Sequence, residues 1–326
     1  MKQRIEDFGI LRSEKVRRVL RPFVPPVVRF RHLRAPKRLA AQNGLELIPH
    51  DLFLDLRRED TVLRISSSHE VYLPHMIENF DYYVGSVIPV RVNGTQLVDM
   101  SGPRYHRLKG FAEIPFLFPS QTEPYDTTAE YLDFAALKGG ETVLDIGAYA
   151  GITSIIFAQL VGPNGHVYAF EADETNCQCA QINLEMAAKT MGLLNITLVH
   201  KAIWSNGGGV PFSNEGAMGS SAVAITGGNR GNEQMVESIR LEDFFTECGL
   251  SHVDFVKMDI EGCEVAVLES SAQFLKGTGA RLIVEPHLVD GRLSTDRCCK
   301  SLEAAGFHVR MRNKVGESEA LIEAVP

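Results

Sequence analysis

From Glu141 onward, apolar runs of strand length alternate with segments of helical spacing. ETVLDIG, GHVYAFEA, ITLVHKAIW, VDFVKMDI and ARLIVEPH are nearly continuous in apolar residues, and all but the third lead into a helical pattern. Strands buried on both faces read this way, so the pattern predicts a doubly wound, mostly parallel α/β sheet with helices on both faces. After the third run comes SNGGGVPFSNEGAMGSSAVAITGGNRGNE, too rich in glycine for a helix. It predicts a hairpin or flap inserted before the helix RLEDFFTECGL. FHVRMRN, a GES turn and ALIEAV predict a terminal antiparallel hairpin at the sheet edge.

Upstream the texture differs. Between residues 50 and 120, short strand-like pieces such as TVLRIS, VIPVRV and TQLVDM are cut by NG, SGP and proline turns. They predict a small mixed or β-rich region over 41–125. YDTTAEYLDFAALKGGE has helix-starting residues at Asp126 and Thr127 and stops at Gly139 and Gly140. It predicts a helix leading into a main domain over 126–326.

Charge adds one feature to this picture. Residues 1–40 carry 12 Lys+Arg against 3 Asp+Glu, whereas the whole chain has 33 against 41. This basic arm suits an anionic lipid surface or nucleic acid, and equally a solvated arm lying on its own acidic body. Its proline pair and its lack of aromatics interleaved with a basic run speak against nucleic acid. No apolar run approaches a membrane span, and the charged start MKQRIEDFGI lacks a signal-peptide core, so a cytoplasmic protein is expected. Six cysteines without paired spacing predict buried reduced thiols and no structural zinc.

The chemistry concentrates at strand ends. In open α/β sheets, ligands sit outside the carboxyl ends of the strands, where strand order reverses. The first strand of the main domain ends at Asp145, and Gly147-Ala148-Tyr149-Ala150-Gly151 leads into a helix. Gly147 permits a sharp turn and close approach of a ligand, the free N–H groups of the helix start favour an anionic group, and Tyr149 is placed to cover the ligand. The second strand ends at Glu171, twenty residues past Gly151. An acidic residue at that distance accepts hydrogen bonds from both hydroxyls of a ribose, so the turn is expected to hold a nucleoside-bearing ligand. A dinucleotide fingerprint would require glycine where Tyr149 stands, which argues against NAD.

Asp145 with Gly147 and Gly151 instead forms the D-x-G-x-x-x-G pattern of Rossmann-like methyltransferases that use S-adenosylmethionine (SAM). With YAFEAD, NITLVHKAIWS, SIRLEDFF, VDFVKMDIEGCEVAVLE and LIVEPH in this order, the chain resembles the FkbM family of SAM-dependent methyltransferases over about residues 126–310. The resemblance implies a class I methyltransferase fold, SAM as cofactor and methyl transfer, with hydroxyls of natural products, glycans or lipids as the acceptor class. The expected cofactor residues are Asp145, Gly147, Ala148, Tyr149, Gly151, Glu171, Ala172, Ala202 and Asp259, with Asp145 facing the cationic methionine portion.

An alcohol acceptor must also lose a proton. Asp259, Glu261 and His287 are the candidate catalytic residues, with His287 favoured as base because an unperturbed imidazole titrates at about 6.5. Asp259 then orients acceptor or cofactor. Glu264 reads as a salt bridge or cap in the next helix, and Lys257 as a partner for one carboxylate. Asp259, Glu261, Glu285 and His287 could also chelate a divalent ion, but no spacing fixes such geometry, and no metal is expected. Asn214, Met218, Ser220 and Ser221 lie on the flap, either over the site or on a surface hairpin. Tyr105, His106 and Arg107 are offered as the opposite wall. Three other readings are a nucleic-acid methyltransferase, a SAM-binding module without turnover, and NAD-dependent oxidation. The first lacks an [N/D]-P-P-[Y/F] loop, having D-I-E-G after the fourth strand; the second requires a broken cofactor loop, which is intact here.

Overall fold

The computed structural model describes residues 33–326 except 112–113, 123–124, 214–215, 217–218, 223–232, 290–291 and 314–319. Most of the basic arm, Asn214, Met218 and the GES turn therefore lie outside the described residues.

The N-terminal layer is a five-stranded sheet in the order β1-β2-β3-β5-β4, built from β1 (Glu46–Pro49), β2 (Phe53–Arg58), β3 (Thr61–Ser66), β4 (Val90–Val92) and β5 (Thr95–Met100). Helix α1 (Arg34–Gln42) buries Ala40 against it, and α2 (Leu73–Glu78) and α3 (Phe80–Ser86) bury Met76, Ile77, Phe80 and Tyr83. A short pair, β6 (Arg104–His106) and β7 (Phe116–Phe118), and α4 (Tyr125–Ala135) lead into the main domain.

There, β8 (Thr142–Ile146), β9 (His166–Phe170), β10 (Ile196–Val199), β16 (Phe255–Met258), β17 (Arg281–Val284), β20 (His308–Asn313) and β21 (Ala320–Val325) make one seven-stranded sheet. Its order is β10-β9-β8-β16-β17-β21-β20. β10 through β17 run parallel, and β21 is antiparallel to both β17 and β20, as the terminal hairpin predicts. The order reverses between β8 and β16, where Asp145 is in register with Lys257.

Helices follow from the same text. α5 (Ile152–Val161) is mostly apolar and buries Ile155, Ile156, Phe157, Ala158 and Val161, leaving Gln159 and Leu160 exposed. α6 (Glu174–Met191) starts where Asp173 Oδ1 accepts the N–H groups of Thr175 and Asn176, and stops at left-handed Gly192. The run ITLVHKAIW breaks after β10 into β11 (Ala202–Ile203), which pairs with β15 (Ser238–Ile239), and between them the glycine-rich segment and its exit form β12 (Val210–Ser213), β13 (Ser221–Ala222) and β14 (Glu233–Val236). β13-β12-β14 is the expected flap, and α7 (Leu241–Cys248) the expected helix after it. α8 (Glu264–Thr278), the hairpin β18 (Leu288–Val289) with β19 (Arg292–Leu293), and α9 (Thr295–Ala304) complete the fold.

One apolar core joins the two layers: Leu63, Ile65, Met76 and Phe116 pack in a cluster with Ala150, Ile155, Leu184 and Ala187. Asn183 fastens this seam. Its Nδ2 donates to the carbonyls of Leu117 and Ala150, each at 2.8 Å, and its Oδ1 accepts the Leu117 N–H at 2.7 Å. The N-terminal layer is thereby held directly against the loop that follows β8. Among the described residues, no helix is long and apolar enough to cross a membrane.

Candidate active site

The loop after β8 is shaped by its neighbours. Gly147 has φ +89°, and a Cβ there would lie 1.8 Å from the Asp259 carbonyl oxygen, so the exit of β16 itself demands glycine. The sequence assigns that freedom to the turn and to a ligand; the larger constraint is the adjacent backbone. Gly147 and Ala148 donate their N–H groups to the Phe170 carbonyl at 3.0 and 2.8 Å. Tyr149 adopts a left-handed backbone at φ 50°, donates its N–H to Glu171 Oε2 at 2.8 Å, and donates its hydroxyl to the Gln121 carbonyl at 2.8 Å.

Above this loop opens a cavity of about 700 Å³. Ala148, Tyr149, Glu171, Ala172 and Ala202 line it beside the β9 exit, Asp259, Glu261, Glu285 and His287 beside the β16 and β17 exits, and Gly147 stands between the two groups against the Asp259 backbone. The structure thus gathers most of the expected residues, and two of them are corrected. Asp145 is fully buried beneath the loop and does not reach the cavity. Ser154 Oγ donates to its Oδ2 at 2.5 Å and Lys257 Nζ stands 3.6 Å from its Oδ1, while burial raises its pKa. Gly151 also lies off the cavity, with Ala180 of α6 3.4 Å from where its Cβ would be.

Glu171 is 7% exposed, and besides Tyr149 it accepts the Asp173 N–H on Oε1 at 2.8 Å. Burial pushes its pKa up to about 8, against an ordinary 4.5, and Asp173 adds to the rise. Backbone N–H groups from Tyr149, Asp173 and Ala172 already favour the ionised form, and hydroxyl donors entering the cavity would relieve its burial penalty further. A ribose diol fits that need, and apolar Ile203 and Phe212 on the same wall suit a purine.

Between the two groups, Lys257 Nζ donates to the Gly147 carbonyl at 2.7 Å and lies 3.2 Å from Asp259 Oδ2. Tyr131 donates its hydroxyl to Glu285 Oε2 at 2.7 Å. His287 Nε2 faces Asp259 Oδ1 at 3.6 Å and Glu261 Oε1 at 3.7 Å, and its Nδ1 is 2.9 Å from Glu264 Oε1. Burial alone would lower the His287 pKa; the carboxyl groups of Glu261, Glu264 and Asp259 outweigh it and hold that pKa well above 6.5. The ordinary imidazole value that favoured His287 as a base therefore does not apply in this setting. Glu261 is pushed up to about 8 by burial, opposed by His287 and reinforced by Asp259. Asp259, Glu285 and His287 bring one donor atom each within 4.8 Å of one another, a spacing a divalent ion would accept, with the Lys257 ammonium already beside Asp259.

The wall facing this cluster comes from the N-terminal layer, but not from Tyr105, His106 and Arg107, none of which lines the cavity. His106 is buried beside Phe118, and burial drops its pKa to about 4. The wall is Tyr72, His75, Asn79, Tyr82 and Tyr83, with His75 Nδ1 3.0 Å from the Tyr83 hydroxyl. Nothing in the stretch HEVYLPHMIENFDYY distinguishes these side chains from core, apart from its density of aromatics. The flap supplies Phe212 and Ser220; Ser220 donates to Asp173 Oδ2 at 2.8 Å, and Ser221 to the Glu261 carbonyl at 2.7 Å.

A parallel sheet with this strand order, an acidic residue closing the second strand and a reversed terminal strand define the class I, Rossmann-like SAM-dependent methyltransferase fold. Within that class, residues 145–309, just over half of the chain, match the methyltransferase FkbM domain, and the chain belongs to that family, whose cofactor is SAM. The FkbM methyltransferase structure from Methylobacillus flagellatus is 16% identical, with TM-score 0.44 over 58% of this chain and 44% of that one. Aeropyrum pernix fibrillarin, crystallised with natively bound SAM, is 14% identical with TM-score 0.40 over 86% of this chain and all of that one. Among curated proteins, the protein-L-isoaspartate O-methyltransferase of Methanococcoides burtonii is 37% identical over 68 residues, 21% of this chain. The chain spans about a third of the length of that relative.

Proposed function

We propose that the chain transfers a methyl group from SAM to a hydroxyl oxygen of a small-molecule, glycan or lipid-linked acceptor. The observation that carries this reading is the continuity of one cavity. It runs from the ribose-type carboxyl group of Glu171 to a proton-handling cluster at His287, under a wall contributed by a separate layer. The cofactor, when bound, supplies an electrophilic methyl group on a sulfonium. Glu171, with the backbone of Gly147 to Tyr149, holds it, and Asp259 and Glu285 align an acceptor hydroxyl by accepting its hydrogen bonds. In its neutral form, populated above its raised pKa, His287 presents Nε2 to the same space and takes the proton the hydroxyl loses. Tyr72, Tyr82 and Tyr83 close the far side and offer faces and hydroxyls to a ring-shaped acceptor.

The test is incubation of the full chain with methyl-labelled SAM and a panel of alcohols, glycosides and carboxylic acids. Label that survives mild base is an ether and supports hydroxyl transfer. Base-labile label would be an ester, as a carboxyl methyltransferase leaves, and would replace this reading.

A further inference from the structure

Glu264 is the least exposed carboxyl group of the cluster and the one the sequence assigns to helix stabilisation. It opens α8 and is 0% exposed. Its Oε1 accepts the Ile260 N–H at 2.9 Å and meets His287 Nδ1 at 2.9 Å. The backbone bond fixes where that oxygen sits, and the oxygen in turn fixes the ring. A carboxylate oxygen can only accept in this contact, so His287 must carry a proton on Nδ1. Once the ring is neutral, above its raised pKa, the remaining ring atom Nε2 bears the lone pair and faces the cavity between Asp259 Oδ1 and Glu261 Oε1.

We propose that Glu264 is the positioning residue of the reaction: it locks His287 in the Nδ1–H tautomer and aims Nε2 at the acceptor hydroxyl. The inference rests on the hydroxyl-transfer reading above. As the new O–C bond forms and the C–S bond breaks, the acceptor proton passes to Nε2, and the imidazolium so formed is stabilised by the carboxylate on its other nitrogen. It then returns the proton to solvent, leaving S-adenosylhomocysteine and the methyl ether. A carboxylate behind a histidine also raises the basicity of the nitrogen in front. The charged groups around the ring are Glu264 on α8, Asp259 and Glu261 on the β16 exit, Glu285 on the β17 exit, and Lys257 beyond Asp259.

The tautomer is read directly by long-range proton–nitrogen NMR of the full chain labelled with nitrogen-15 histidine. Above its titration, His287 is expected to keep its proton on Nδ1. A neutral ring with the proton on Nε2 would overturn the proposal, and this reading needs neither a variant nor turnover. Glu264→Gln keeps size but removes charge. It is expected to lower kcat at least about 10-fold, with acceptor KM and S-adenosylhomocysteine affinity within about 2-fold. The limb of the pH–rate profile belonging to His287 is expected to move to lower pH, because an anion that favours the imidazolium is gone. A variant with unchanged kcat and an unmoved limb would overturn it as well. Failure of the hydroxyl-transfer reading shows elsewhere, as base-labile product or no methyl transfer, whichever nitrogen carries the proton.

Discussion

Lys257 Nζ donates to the Gly147 carbonyl across 2.7 Å, so the side chain of one central strand carries the loop that ends its neighbour. The ammonium is 4% exposed, with Asp145 3.6 Å away on one side and Asp259 3.2 Å away on the other. Lys257→Met retains the stem and deletes the charge, leaving Asp145 buried without its cation. Breaking a buried pair from one side costs about 3 to 5 kcal/mol. Urea unfolding is expected to show a loss of that order, and titration with S-adenosylhomocysteine a weaker affinity, because the Gly147 carbonyl is no longer held. Unchanged values in both measurements would remove Lys257 from the cofactor site.

Gly147→Ala tests the packing of the same turn. The added methyl would sit 1.8 Å from the Asp259 carbonyl oxygen, at a backbone angle that alanine rarely adopts. Both strand ends must then move apart, at the floor of the cavity. The variant is expected to unfold at a clearly lower temperature and to bind S-adenosylhomocysteine at least about 10-fold more weakly, a loss of about 1.4 kcal/mol or more. Normal binding would mean that the β8 and β16 exits are less tightly coupled than this contact implies.

These two residues also mark what the sequence could and could not reveal. ETVLDIG and VDFVKMDI announce strands buried on both faces because each carries its own apolar pattern, and the order of such segments implies the sheet. That Gly147 and Glu171 share one cavity is legible for the same reason, since both stand at fixed offsets from strand ends. Asp145 was misjudged because spacing places a residue on a strand without saying which side of a loop its side chain takes. The acceptor wall had no such anchor. Tyr72, His75 and Tyr83 reach the cavity only because a second layer docks on α5 and α6, and Asn183, which secures that docking, looks like any helical asparagine. His287 lines the cavity as its strand-end position implies, but its electrostatic setting is not legible, since Glu264 and Glu261 meet it only in the folded chain.

If Glu171 meets the ribose as proposed, it links cofactor binding to protons. Its folded-state pKa of about 8 lies above the ordinary 4.5, so without cofactor the native state holds a proton that the unfolded state releases. Its contribution to stability is fully present below about pH 4.5 and is lost as pH rises toward and through 8. Glu261, also raised to about 8, adds in the same direction. Ribose hydroxyls favour the ionised carboxylate, so binding at pH 7 is expected to expel close to one proton. Calorimetry of S-adenosylhomocysteine in buffers of different ionisation enthalpy measures this. Glu171→Gln should abolish the release and weaken binding by about 1.5 to 3 kcal/mol, the worth of a hydrogen bond to a charged group. Binding without proton release would mean that Glu171 does not meet the ribose.

The remaining test concerns the cation at the acceptor end. Asp259, Glu285 and His287 are close enough to share a divalent ion, yet the positive charge there is already supplied by Lys257 at 3.2 Å from Asp259 and by an imidazole whose pKa is held well above 6.5. An ion entering this space would have to displace the imidazole proton and approach the ammonium, both unfavourable at short range. Turnover is therefore expected to survive exhaustive dialysis against EDTA, and added magnesium or manganese to change the rate by less than about 2-fold. At lower pH the protonated ring opposes a metal more strongly, so any stimulation would grow as pH rises past the His287 titration. A rate abolished by EDTA and restored by one equivalent of metal would reassign these three side chains from aligning the acceptor to ligating the ion.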